Sequence, residues 1–164
     1  MPARALITAE AADLLRSLQN RHGALMFHQS GGCCDGSSPM CYPDGDFIVG
    51  DRDVLLGVLD VGTDGVPVWI SGSQFEAWQH TQLIIDVVPG RGGGFSLEAP
   101  EGKRFLSRGR VFTAAENAEL TARPPITGAQ YAEGTRPAYD GTLIVDHAEE
   151  ACPVAARPDG SAQR

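Results

Sequence analysis

The hydrophobic period changes once along this chain, and that change limits it to a helix followed by sheet. Ala11, Leu14, Leu15 and Leu18 recur at i, i+3, i+4 and i+7, the stripe of a short amphipathic helix. Thr8 is placed to cap it, Glu10 in the first turn suits the helix dipole, and Gly23 stands where a terminating glycine belongs. From Leu25 onward the period is two. Strands are expected at Leu25–Gln29, Phe47–Val49, Val54–Leu59, Val66–Ile70, Leu83–Val88 and Phe95–Glu98. Leu83–Val88 carries the strongest buried-strand pattern, with Phe95–Glu98 as its partner, and Pro67 assigns its own strand to an edge or a strand start. Ser73 followed by Glu76 reads as a capping box for a short helix over Gln74–Gln79.

These elements predict an α+β domain, with one N-terminal helix packed on a mostly antiparallel β-sandwich. Gly90-Arg91-Gly92-Gly93-Gly94 does not read as a phosphate loop, because strands are expected on both sides where such a loop needs a helix after it. It reads as a hairpin connection. Past Thr121 prolines and glycines alternate and long apolar patterns stop. The expected organisation is therefore a domain over residues 1–120 and an extended or disordered tail over 121–164, in which Thr142–Val145 is the one stretch able to add a strand.

At 164 residues and 42% apolar content the chain suits one domain with a real core. No apolar run reaches the length that spans a bilayer, so no membrane role is expected. No apolar signal stretch precedes the helix, which implies a cytoplasmic, reducing setting where cysteines are thiols, ligands or transient redox groups. A net charge of −8 argues against a nucleic-acid partner. Lys103, Arg104, Arg108 and Arg110 form the one basic cluster, read as a solvated strand or loop before an acidic-partner surface. A homodimer is compatible with the sequence.

Chemistry concentrates between His28 and Pro43, which holds Cys33, Cys34 and Cys41. Thiolates with an imidazole suit zinc, iron or an iron–sulfur cluster. The spacing fits no standard zinc pattern, and adjacent cysteines in extended chain point to opposite faces. A Cys33–Cys34 disulfide would be strained, whereas Cys41 could pair with either through the Gly36–Pro39 loop. The candidate ligand set is His28, Cys33, Cys34 and Cys41, with His80 able to complete it, and buried thiols in a glycine-rich turn are the bland alternative. Cys152 stands apart. Asp35, Asp44, Asp46, Asp51 and Asp53 are explained by turn chemistry, and no catalytic triad or carboxylate pair emerges.

The His28–Pro43 string, with Gln74-Phe75-Glu76-Ala77-Trp78 and Gly92-Gly93-Gly94-Phe95-Ser96-Leu97-Glu98, resembles the bacterial family called domain of unknown function 779 over roughly residues 5–113. That resemblance implies an aldehyde (acetaldehyde) dehydrogenase as partner. The Ile7–Ala12 opening, Gly31-Gly32-Cys33, Gly65–Val68 and Gly94–Pro100 are similar to the A-type iron–sulfur carriers, which implies a HesB-like fold. Where those carriers have a Cys-Gly-Cys pair, this chain has Glu101-Gly102-Lys103-Arg104-Phe105. The functional expectation is a non-catalytic accessory protein of an aldehyde dehydrogenase with a metal-binding or redox-responsive Cys/His loop. A metal or iron–sulfur carrier and a small thiol oxidoreductase are the alternatives.

Overall fold

The computed structural model describes residues 2–29, 38–62, 65–90, 96–137 and 144–146. Among the described residues it is a mixed α/β fold with two mixed sheets and four helices. The first element is a strand, β1 (Ala5–Thr8), which is not expected from the sequence because four residues show no period of their own. Thr8 ends β1 and caps α1 (Ala9–His22), its hydroxyl accepting from the Ala11 amide; Gly23 at φ 82° closes the helix. The stripe read from the sequence is the buried face: Ala11, Leu14, Leu15 and Leu18 lie in the core.

β2 (Leu25–Gln29) runs out of α1 and is buried on both faces. After it come β3 (Met40–Pro43), β4 (Val54–Leu59) and β5 (Val66–Ile70), then α2 (Gly72–Trp78) and β6 (Thr81–Pro89). A 3₁₀ turn at Ala99–Glu101 leads into β7 (Lys103–Val111). The remaining elements are α3 (Ala114–Ala122), β8 (Ile126–Thr127), α4 (Gly128–Ala132) and β9 (Ile144–Val145). One sheet has the order β7-β6-β1-β9 and the other β3-β2-β5-β4-β8. Strand pairs β1–β6, β1–β9 and β2–β5 are parallel and the other four antiparallel, a mixture that a period of two cannot reveal.

Several expectations change in the structure. The partner of β6 is β7, paired over nine residue pairs, and not Phe95–Glu98. Ser96–Glu98 form a turn instead, and residue 95 lies outside the described set. Alternating arginines disguise β7: Arg108 donates to Asp86 at 2.7 Å, Arg110 to Gln82 and Glu116, and Arg104 to Ser38 at 2.9 Å. The basic cluster is thus largely consumed within the fold. Phe47–Val49 is irregular, with Phe47 stacked on Tyr42 at 5.0 Å between ring centres. α2 is capped by Ser71, whose hydroxyl accepts from Gln74, so the cap lies two residues before Ser73. β5 sits centrally, yet its ladder with β2 starts only at Val68, so Pro67 has a strand neighbour on one side and costs no second ladder bond.

One core gathers the α1 stripe with Ile7, Leu83 and Ile85 of the first sheet and Leu25, Phe27, Val68 and Ile70 of the second. A smaller cluster on the far side of the second sheet holds Met26, Leu55 and Trp69, covered by Tyr42, Phe47, Ile126 and Tyr131. Two of these covering residues belong to the region read as a tail. Thr113 and Thr127 each head a capping box, which gives α3 and α4 local definition in a segment with weak apolar periodicity. Ile144–Val145, the stretch able to add a strand, pairs with β1. The remainder of the tail, with Cys152, lies outside the described residues.

The turn before β4 locks this cover down. The Gly128 amide donates to the Asp53 carbonyl at 2.7 Å, and Ala129 to that of Asp51. A Cβ on Gly128 would stand 1.9 Å from the Gly50 carbonyl oxygen, whereas one on Gly57 would meet nothing within 4 Å. Gly128→Ala should therefore cost about 1–3 kcal/mol by overpacking against backbone, and Gly57→Ala should be near neutral. Urea unfolding of the two variants checks this. Equal midpoints would mean that α4 does not dock on the 50–53 turn.

Candidate functional site

β2 carries two polar side chains into a fully buried strand, and each must find a partner there. His28 and Gln29 are successive residues, so they point to opposite faces. On the outer face the His28 Nε2 lies 3.0 Å from Asp53 Oδ2, and its ring packs on Phe47 at 4.4 Å between centres. Asp53 is fixed in turn by the Gly50 amide, which donates to the same oxygen at 2.9 Å. On the inner face Gln29 Oε1 accepts from Ser107 Oγ of β7 at 2.7 Å.

Cys41 pairs with Phe27 in the β2–β3 ladder, while His28 pairs with Met40. Cys41 therefore shares the inner face with Phe27, and the sheet itself separates it from His28. It is 0% exposed, its amide donates to Ser96 Oγ at 2.9 Å, and its carbonyl accepts from the Leu97 amide at 3.0 Å. The Ser96 hydroxyl also donates to Glu98, a wholly buried carboxylate that accepts from the Phe105 amide at 3.1 Å. Burial pushes the Cys41 thiol far above its ordinary range, and the Glu98 carboxylate adds to that shift. It rests as a neutral thiol, a poor nucleophile.

His80 lies elsewhere. It is exposed, follows α2, and holds Asn117 of α3 through Nδ1 at 3.0 Å. It abuts the Thr81–Val111 end of the β6–β7 hairpin, and Phe105 pairs with Val87 six residues further along, about 20 Å away at strand rise. The structure does not bring His80 to Cys41. Cys33 and Cys34 lie outside the described residues.

What the structure does gather is the two ends of the segment that bears those cysteines. Gln29 before it is tied to Ser107, and Ser38 after it accepts from Arg104, two positions three residues apart on β7. Ser96–Glu98 closes the same corner against Cys41 and Phe105. Sequence reasoning missed Asp53, Glu98, Gln29 and Ser107. Asp53 was absorbed into turn chemistry, and nothing local marks Gln29 or Ser107. For Glu98 the signal was its place in the Phe95-Ser96-Leu97-Glu98 motif, where a carboxylate and a serine alternate with two apolar residues.

Fold and site together define a two-sheet α/β domain whose buried strand leads to the cysteine-bearing segment, with Gln29 before it and Ser38 after it both hydrogen-bonded to β7. By sequence the chain belongs to the family described as Domain of unknown function (DUF779), which matches residues 14–111. That span includes β2, the loop, Asp53, Glu98 and β7. No curated protein matches the chain, and no solved structure does.

Native protein at pH 8 should leave Cys41 unmodified by iodoacetamide under conditions that label it fully in urea. Peptide mass spectrometry reads the difference, and equal labelling would remove the buried-thiol assignment. A thiol whose folded pKa is raised stabilises fully below the unfolded value near 8.5, and that stability is lost as pH rises above it. Between pH 8 and 10 the wild type should lose more stability than Cys41→Ala.

Proposed function

We propose that this domain is a non-catalytic accessory or regulatory protein whose Cys/His loop holds a metal ion or responds to thiol redox state. The observation that carries this reading is the double anchoring of the loop, Gln29 to Ser107 at one end and Ser38 to Arg104 at the other. Anchors of this kind preorganise a segment for binding. The buried side chains around them are hydrogen-bonded to one another, and Cys41 is kept as a neutral thiol, which argues against nucleophilic turnover at that residue.

Among the described residues no three His, Cys, Asp or Glu side chains converge as a metal site. Cys41 is turned from His28, so a metal on the outer face would draw on His28 with one of the adjacent cysteines, Cys33 or Cys34. Asp53 would then orient the imidazole, as carboxylates commonly do for ligating histidines. Zinc and iron both suit such a set. A redox response would instead be confined to the loop thiols, with Cys41 in reserve on the inner face. The partner we propose is an aldehyde dehydrogenase, on the family resemblance alone. The two sheets sharing one core support a sandwich of the HesB-like kind.

Metal analysis and thiol counting on anaerobically purified protein test the reading, before and after exposure to oxidised glutathione. The expected result is either about one zinc or iron per chain, released together with newly titratable thiols by a chelator, or two thiols lost reversibly. Protein that is metal-free and keeps every thiol unchanged would end the proposal. Affinity purification from the native host should recover an aldehyde dehydrogenase, and repeated failure to enrich one would remove the partner.

A further inference from the structure

A second place in the molecule gathers unused chemistry, on the far side of β4 from the loop. β4 pairs with β8 at Val54–Thr127 and Leu55–Ile126, and there the ladder stops. Between Leu55 and Gly57 the register of β4 with β5 shifts, a bulge at Leu56. Bulges re-aim side chains and interrupt pairing, and they gather next to functional sites. Beside this one lies a half-open cavity of about 270 Å³. Its apolar wall includes Leu55, Leu56 and Ile126, and its polar wall is Arg4, Arg123 and Arg136. Among the described residues no carboxylate lines it.

Three guanidinium groups on one cavity are unusual in a chain with a net charge of −8. Each is placed by the fold. Arg4, just before β1, donates through Nη2 to the carbonyls of Leu120 and Arg123 at 2.9 Å, tying the end of α3 to the cavity wall. Arg136 stacks on Tyr131 at 3.6 Å, and its Nη1 donates to the Tyr131 and Thr135 carbonyls. Its Nε and Nη2 form the side-on fork that grips a carboxylate with two parallel bonds, and among the described residues that fork makes no hydrogen bond. Arg123 ends α3 and is exposed, with no carboxylate against its side chain among the described residues.

We infer that this cavity binds a small organic carboxylate with a short apolar body. The arginines supply charge and planar fork recognition, and the Leu55, Leu56 and Ile126 wall takes the hydrocarbon. The cavity falls just below the usual range for ligand sites, roughly 300–1,000 Å³, which restricts the ligand to a few carbons. The inference stands apart from the reading of the cysteine loop and shares no residue with it.

The full chain titrated with hexanoate, hexanamide and inorganic phosphate provides the test, followed by amide NMR and thermal shift. Hexanoate should move the Ile126, Arg123 and Thr135 signals saturably and raise the midpoint. Arg123→Glu should weaken it at least tenfold while the ligand-free midpoint stays at the wild-type value, and Arg136→Lys should weaken it although the charge is kept. Hexanamide binding as tightly as hexanoate would overturn the inference, since the arginines would then not be reading charge. So would phosphate with equal affinity at the same signals, because the apolar wall would then contribute nothing, or hexanoate giving no saturable change.

Discussion

Everything near the cysteine loop depends on β2 being buried on both faces while ending in His28 and Gln29. A polar group withdrawn from water without a partner costs about 1–3 kcal/mol, so the strand can exist in this position only where both side chains are satisfied. The second sheet solves this on its outer face with Asp53, and the first sheet on the inner face with Ser107. Those two bonds join three remote stretches of chain at the point where the backbone enters the loop. Asp53 is itself held by the Gly50 amide, and its carbonyl by Gly128, so the outer bond extends into α4. The inner bond lands on β7, which also holds Ser38 and Glu98.

This division by face sets what the segment can do. His28 and Cys41 are close in sequence and sit on paired strands, but the pleat sends them to opposite sides. The outer side offers an imidazole steadied by a carboxylate, a habit of metal-binding histidines. The inner side offers a neutral thiol within hydrogen-bonded walls, a habit of thiols kept from reacting.

Much of the fold was legible before the structure. The α1 stripe, its Thr8 cap and Gly23 stop, and β2, β4, β5 and β6 all follow from local pattern. What stayed hidden has physical reasons. β1 is too short to show a period, and β7 alternates arginines that read as solvent-facing although Arg108 and Arg110 are bound to Asp86 and Glu116. The parallel pairings depend on crossovers between distant segments. The elements after Thr121 derive their stability from docking on the 50–53 turn and on Trp69, contacts that composition does not encode. In the site, the motif carrying His28 was visible at once, whereas Asp53, Gln29, Ser107 and Glu98 matter only through partners tens of residues away.

The central claim is that a buried, carboxylate-held imidazole stands at the entry to the cysteine loop. Long-range ¹H–¹⁵N correlation of the histidine side chains measures it directly. One His28 tautomer is expected, with the proton on Nε2 toward Asp53, slow exchange with solvent, and loss of that order in Asp53→Ala. A His28 ring that exchanges freely, shows the Nδ1–H tautomer, or is unchanged by removal of Asp53 would contradict it.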